Sequence, residues 1–280
     1  MGDRIDIDGA SLEVFRDPPT FDGLRTAAVG KFKCKTQEAG GALLHHVCES
    51  LVAEGVQAVI GPLDGDTWHN YRLVTETDGS PPFLMEPISG QYDLISFRSA
   101  GFAEIAHYVS ARQPLDDIAV ENSQALTGIQ VDTWDGSDPE QFFAEVHTLS
   151  LKAFARNPFY QPIALSDFLA IYLPLVPMIR RELILFARDQ DGTLQGFFFA
   201  VPDYQQGPKP KDVIFKTYAS LIPGVGRMLV NRAVRVSADL GFRNAIHALM
   251  HADNRSADRS DRIGGEIFRR YALMGRILNE

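Results

Sequence analysis

The stretch Leu221-Ile222-Pro223-Gly224-Val225-Gly226-Arg227-Met228-Leu229 decides the reading of this chain. Before it, residues 213–221 form a run of β-branched and aromatic residues that predicts a strand. After it, residues 227–240 predict a long helix closed by Gly241. The first amides of such a helix have no intrahelical partner, and the helix dipole is positive at that end. A glycine turn there lets a phosphate approach the backbone. An ordinary strand-to-helix turn has the same pattern, and isolated glycine motifs match by chance, so the turn by itself leaves both readings open.

Working outward, 244–251 reads as a strand, 253–263 as polar and partly helical, and 268–277 as the last strand. Upstream, 182–189 and 194–201 are strands joined by the turn Gln190-Asp191-Gly192. Helices are predicted over 140–155 and 167–172, after a strand at 125–133. The first half repeats the order. A strand at 25–34 meets the turn Gln37-Glu38-Ala39-Gly40-Gly41-Ala42, with Thr36 as N-cap, then a helix at 42–54 and a strand at 56–60. A polar, aromatic stretch over 64–82 reads as loop and strand edge, 94–100 as helix and 102–110 as strand. The order strand, glycine turn, helix, strand, short helix, strand thus occurs over 25–110 and over 213–277, as a repeat of pattern rather than of residues. The charged segment 112–123 marks the boundary between units at 1–115 and 124–280.

Composition narrows the function. A chain of 280 residues with 45% apolar and 22% charged residues is globular and long enough for two domains. The formal net charge of −9 opposes non-specific binding to nucleic acid or to an anionic membrane. The longest apolar stretch, 168–179, is interrupted by prolines and too short to span a bilayer. The acidic start has no apolar signal core, and the two cysteines, Cys34 and Cys48, suit a reducing compartment, so a cytoplasmic location is expected.

The two turns resemble the pyrophosphate loop of the GNAT N-acyltransferase superfamily, Q/R-x-x-G-x-G/A. Gln37, Gly40 and Ala42 match it literally; Gly224 and Gly226 match its glycines, with Leu221 in place of Gln or Arg. The segment Phe97-Arg98-Ser99-Ala100-Gly101-Phe102 resembles the family's Y-x-x-x-G-F ending with Phe97 replacing Tyr. Asn254-Arg255-Ser256-Ala257 resembles its N-x-x-A segment, with Gly265 at the expected glycine. Gly61-Pro62 with Trp68, and Phe268 to Leu273, are similar to segments of bacterial proteins with two tandem GNAT-like units.

The resemblance implies an α/β fold of two units, each a mixed central sheet flanked by helices, with the N-terminal unit reduced. It implies transfer of an acyl group from acetyl-CoA or another acyl-CoA to the amine of a small molecule or peptide. Cofactor contacts would come from Leu221, Gly224, Val225, Gly226, Arg227 and Met228. With Phe97 lacking a hydroxyl and Asp261 a poor thiolate acid, Tyr271, Tyr218 and Asn254 are the catalytic candidates. Acyl carrier protein as donor, docking on the C-terminal arginines, a non-catalytic ligand- or protein-binding module, and a homodimer are the alternatives to be weighed. His45, His46 and Cys48 share a helix, and His45 with Cys48 has metal-ligand spacing, but no second pair lies near in sequence and no metal site is assigned. Trp68-His69-Asn70-Tyr71-Arg72 reads equally as the wall of a substrate pocket or as an edge strand with a packed Trp.

Overall fold

The computed structural model describes residues 2–118, 120, 126–252 and 265–278. Strands β1 (Asp3–Ile7), β2 (Ala10–Phe15) and β3 (Thr26–Cys34) precede helix α1 (Gln37–Ala53). Strands β4 (Ala58–Gly61) and β5 (Leu73–Thr77), helix α2 (Asp93–Ser99) and strand β6 (Ala103–Pro114) complete the first half. The second half contributes β7 (Gln130–Thr133), α3 (Pro139–Ala153), α4 (Leu165–Tyr172), β8 (Ile184–Arg188) and β9 (Leu194–Pro202). It ends with β10 (Asp212–Ser220), α5 (Val225–Asp239), β11 (Asn244–His251) and β12 (Glu266–Ile277).

Among the described residues, all twelve strands belong to one mixed sheet, in the order β1-β2-β3-β4-β12-β6-β11-β10-β9-β8-β7, with β5 paired to β12. The six central strands, β3-β4-β12-β6-β11-β10, read alike from either end. Each outer pair is parallel, β3 with β4 and β10 with β11, and all the inner pairings are antiparallel. The last strand of each half therefore completes the sheet of the other: β12 lies between β4 and β6, and β6 between β11 and β12. The sequence reading expected a separate sheet in each unit. The exchange of β6 and β12 joins them, because each terminal strand satisfies its backbone against the other half.

The elements follow from local patterning. In β2 buried and partly exposed residues alternate along Ala-Ser-Leu-Glu-Val-Phe, as a half-buried strand requires. Helix α5 buries Val225, Leu229, Ala233 and Val236 on one face and turns Arg227, Arg232 and Arg235 outward. That buried face packs with Leu185, Phe198 and Ala245 of the sheet. Helix α1 packs Leu43, Leu44, Val47 and Leu51 against Val29, Val59 and Phe97. Helices α3 and α4 cover the sheet through an aromatic cluster including Phe142, Phe143, Phe168 and Phe197. Strand β1 was not expected from sequence; its polar edge shows no clear alternation, and it is held by pairing with β2. Among the described residues, no helix is long and apolar enough to cross a membrane.

Candidate active site

Two parallel strand pairs flank the centre, and both part company partway along. Strands β10 and β11 pair from Asp212/Asn244 to Phe215/His247 and no further. Both strands are irregular at that level. Lys216 is the extra residue of a bulge between Phe215 and Thr217 opposite β9. On β11 the register against β6 shifts between His247 and Met250, where Leu249 has a φ of +57° and its amide donates to Ser110 Oγ at 3.1 Å. Bulges bend and twist strands, so paired bulges on both sides pry the two apart. The gap leaves backbone groups of β10 beyond Phe215 unpaired with β11 and opens into a cavity of about 1000 Å³.

The equivalent gap in the first half is filled. Strands β3 and β4 pair only over Thr26–Ala28 and Ala58–Ile60. Beyond that, the Leu63 amide donates to Val29 O at 2.9 Å, and Asp64 Oδ1 accepts from the Lys31 amide at 2.7 Å. A Cβ on Gly30 would stand 2.6 Å from Leu63 O, so residue 30 is glycine because the incoming chain touches its backbone. The turns preceding the helices differ in the same way. Thr36 Oγ1 accepts from the Ala39 amide at 3.2 Å, and Ser96 Oγ of α2 donates to Gln37 O at 3.4 Å. A Cβ on Gly40 would overlap Ser96 Oγ and reach 3.0 Å from Cys34 Sγ, so Gly40 serves close packing of α1 on α2. The start of α5 has no side-chain cap: Gly224 takes a φ of +92°, and Arg227 and Met228 donate to its carbonyl at 3.1 and 3.2 Å. Among the described residues the Gly226 amide has no hydrogen-bond partner, and a Cβ there would meet nothing nearer than Ser220 Oγ at 3.3 Å.

The cavity is walled by aromatic side chains from both halves, among them Trp68, Phe143, Phe154, Tyr160, Phe168 and Phe197. Trp68 donates its indole N–H to Gln161 O at 2.8 Å, which fixes a first-half residue against the loop between α3 and α4. Polar and charged groups are interspersed among them. Lys216 Nζ donates to Met85 O at 3.2 Å, and burial, reinforced by the charge of Arg72 and opposed by Glu86, lowers its pKa to about 8. His247 lines the cavity with Nε2 buried and unpartnered, and burial lowers its pKa to about 4, so it is neutral at pH 7. Arg72 lies over the rings of Tyr71 and Tyr108, 3.7 and 3.9 Å from their centroids. Its Nη1 donates to Leu249 O at 3.2 Å. Glu86 is pushed up by burial although it accepts from Tyr271 Oη, from Arg269 Nη1 at 2.6 Å and from the Phe83 amide at 3.0 Å.

Solved proteins share this fold. A tandem GNAT protein from the clavulanic acid biosynthesis pathway is 14% identical, covering 97% of this chain and 80% of its own, with a TM-score of 0.54. The chain has the tandem GNAT fold. A GCN5-related N-acetyltransferase from Sphaerobacter thermophilus is 13% identical with a TM-score of 0.57, over 97% of this chain and 78% of its own. A probable N-acyltransferase from Enterococcus faecalis is 11% identical with a TM-score of 0.58; the match spans 97% of this chain and 60% of that one. No family model matches the chain, and no curated protein matches it.

Within this GNAT fold the sequence candidates separate. Tyr218 lines the cavity on β10 and stacks on Phe198 with centroids 5.5 Å apart. Tyr271 is 1% exposed, bonded to Glu86 and to Ser110 Oγ at 3.1 Å, and is not among the cavity-lining residues. Asn254, Asp261 and the arginines 255, 259 and 262 lie outside the described residues. Leu221 is 39% exposed just past β10, and Val225 is buried at the start of α5, with Gly224, Gly226, Arg227 and Met228 around the turn. Phe97 is fully buried against Phe32 and Phe102 and serves the core. Arg269 is held by Glu86, Arg270 Nε lies 3.1 Å from Glu76, and Arg276 donates to Ala100 O at 2.7 Å. The stretch Trp68 to Arg72 lines the cavity, with Trp68 also packed among Phe154, Tyr160 and Phe168 and Tyr71 bridged to Leu63. Lys216 and His247 were missed from sequence. The only signal was their position on strands 213–221 and 244–251, and the bulges that turn them toward the gap have no sequence mark here.

Proposed function

We propose that the protein is an acyl-CoA-dependent N-acyltransferase whose donor cleft belongs to the second half. The observation that carries this is the open gap between β10 and β11, lying beside the uncapped start of α5 and leading into the cavity. On this reading residues 124–280 are the complete unit and 1–115 a reduced one that walls the acceptor site. The filled gap at Leu63 and Asp64, and the capped, packed turn at Thr36 and Gly40, favour the same assignment.

The unpaired backbone of β10 would hold the amide-rich arm of the donor, and the first amides of α5, with Arg227, its pyrophosphate. The acyl thioester then lies at the bulge, facing the cavity. A neutral amine attacks the thioester carbon, the new C–N bond forms and the C–S bond breaks. The nitrogen loses a proton to cavity water, and Tyr218 Oη gives one to the departing thiolate and is reprotonated from solvent. A non-catalytic binding module is the second reading, favoured by the exposed Leu221 where a polar contact to pyrophosphate is expected.

Thermal stabilisation by acetyl-CoA and by longer acyl-CoAs tests the reading. Wild type is expected to be stabilised at millimolar donor, Gly226→Glu to lose the effect through a carboxylate placed against the phosphates, and Gln37→Glu to retain it. Stabilisation lost in Gln37→Glu and kept in Gly226→Glu would move the donor to the first half. No stabilisation of wild type by any donor would leave the binding module.

A further inference from the structure

The cavity holds positive charge that transfer to a simple amine does not use. Arg72 is 6% exposed, and its Nε is buried with no partner. The acceptor of Lys216 Nζ among the described residues is the neutral Met85 O. Among the described residues, neither has a carboxylate within ion-pair distance. The two carboxylates that line the cavity among the described residues are engaged elsewhere: Glu86 binds Arg269 and Tyr271, and Asp64 accepts from the Lys31 amide. The unpartnered Nε2 of His247 adds a polar atom to the same wall. Buried cations without counter-ions are costly, and an anion supplied by a ligand offsets that cost. Arg72 and Lys216 line the same cavity, as do Leu249 and Met85, whose carbonyls they bond. Part of the wall, at Trp68, Phe143, Phe154, Phe168 and Phe197, is aromatic and suits an apolar body on the occupant.

We propose that the acceptor is an amino acid with an apolar or aromatic side chain, its carboxylate received by Arg72 and Lys216 and its side chain by the wall at Trp68, Phe143 and Phe168. The amine in this assignment rests on the acyl-transfer reading; the anion and the apolar body rest on the cavity alone. The carboxylate pairs with the guanidinium and the ammonium, and the side chain stacks among rings. Held at the carboxylate, the amine is kept in the cavity into which the gap between β10 and β11 opens.

Calorimetric titration of the full chain without CoA separates the parts. The ligands are N-acetyl-L-phenylalanine, its uncharged carboxamide, and phenethylamine. The free acid is expected to bind at least about tenfold more tightly than the carboxamide, because charge-assisted pairing is lost in the amide. In Lys216→Gln and Arg72→Gln that preference is expected to fall to near unity, with carboxamide affinity unchanged. If Arg72→Gln does not fold, Lys216→Gln alone decides. Equal binding of acid and carboxamide, survival of the preference in the variants, or no binding of any of the three ligands overturns the proposal. Separate titration with acetyl-CoA keeps the two readings distinct. Donor binding with no acid preference refutes the acceptor class alone; an acid preference with no donor binding refutes acyl transfer and leaves an anion site.

Discussion

Replacing Lys216 by Met should stabilise the protein near neutral pH, an unusual outcome for a polar cavity residue. The lysine is lowered from 10.5 to about 8, chiefly by burial and secondarily by Arg72, with Glu86 opposing. At about 1.4 kcal/mol per decade of proton affinity, that is about 3 kcal/mol of penalty on the charged form in the folded state. The variant removes this and loses the Met85 carbonyl bond, worth about 1 kcal/mol, so the net gain is about 2 kcal/mol at pH 7. The sign reverses at high pH. Between pH 8 and 10.5 the unfolded chain keeps the proton that the folded chain has shed, so wild-type stability rises with pH there. Methionine has no such rise, and the advantage of the variant should disappear as pH approaches 10.5. Urea unfolding of both proteins at pH 7 and pH 10, followed by circular dichroism, measures the difference at each pH. A variant less stable than wild type at pH 7, or a difference that does not change with pH, would refute the assignment of Lys216 as a half-buried, partly uncompensated cation.

His247, lowered to about 4 by burial, gives the opposite pH window: the unfolded chain takes up its proton near 6.5, so stability should fall by about 3 kcal/mol between pH 6.5 and 4. His247→Phe should flatten that part of the urea-unfolding pH profile, and an unchanged acid slope would show that the imidazole is not buried. The two tyrosines should divide: Tyr218→Phe is expected to lower kcat at least about tenfold, measured by release of free CoA thiol, with little change in urea midpoint. Tyr271→Phe leaves Glu86 short of a donor and should cost about 1–2 kcal/mol of stability with kcat unchanged; a reversed pair of results would return the acid role to Tyr271.

Much of the local structure was legible because it is local. Gly241 follows the end of α5 at a φ of +86°, Thr36 caps α1, and Gln190-Asp191-Gly192 turns β8 into β9. Periodicity predicted β11 at its observed bounds and most other strands within a few residues. The glycine turn at Gly224 was legible for the same reason: a strand, a left-handed glycine and a helix are neighbours in the chain. The literal motif match at Gln37, Gly40 and Ala42 was legible too, yet its physical role depends on α2, fifty-odd residues away.

The sequence by itself therefore determined most of the elements, the repeat of their order and the tandem GNAT resemblance, since these follow from patterns of neighbouring residues. Only the tertiary structure decided which of the two gaps is open, because one is closed by Leu63 and Asp64 and the other held apart by bulges on β10 and β11. It alone joined the halves through β6 and β12 and brought Arg72 into the same cavity as Lys216 and His247. Pairing across distant strands, and the desolvation of a charge by what folds over it, are properties of the packed chain that no local run of residues encodes.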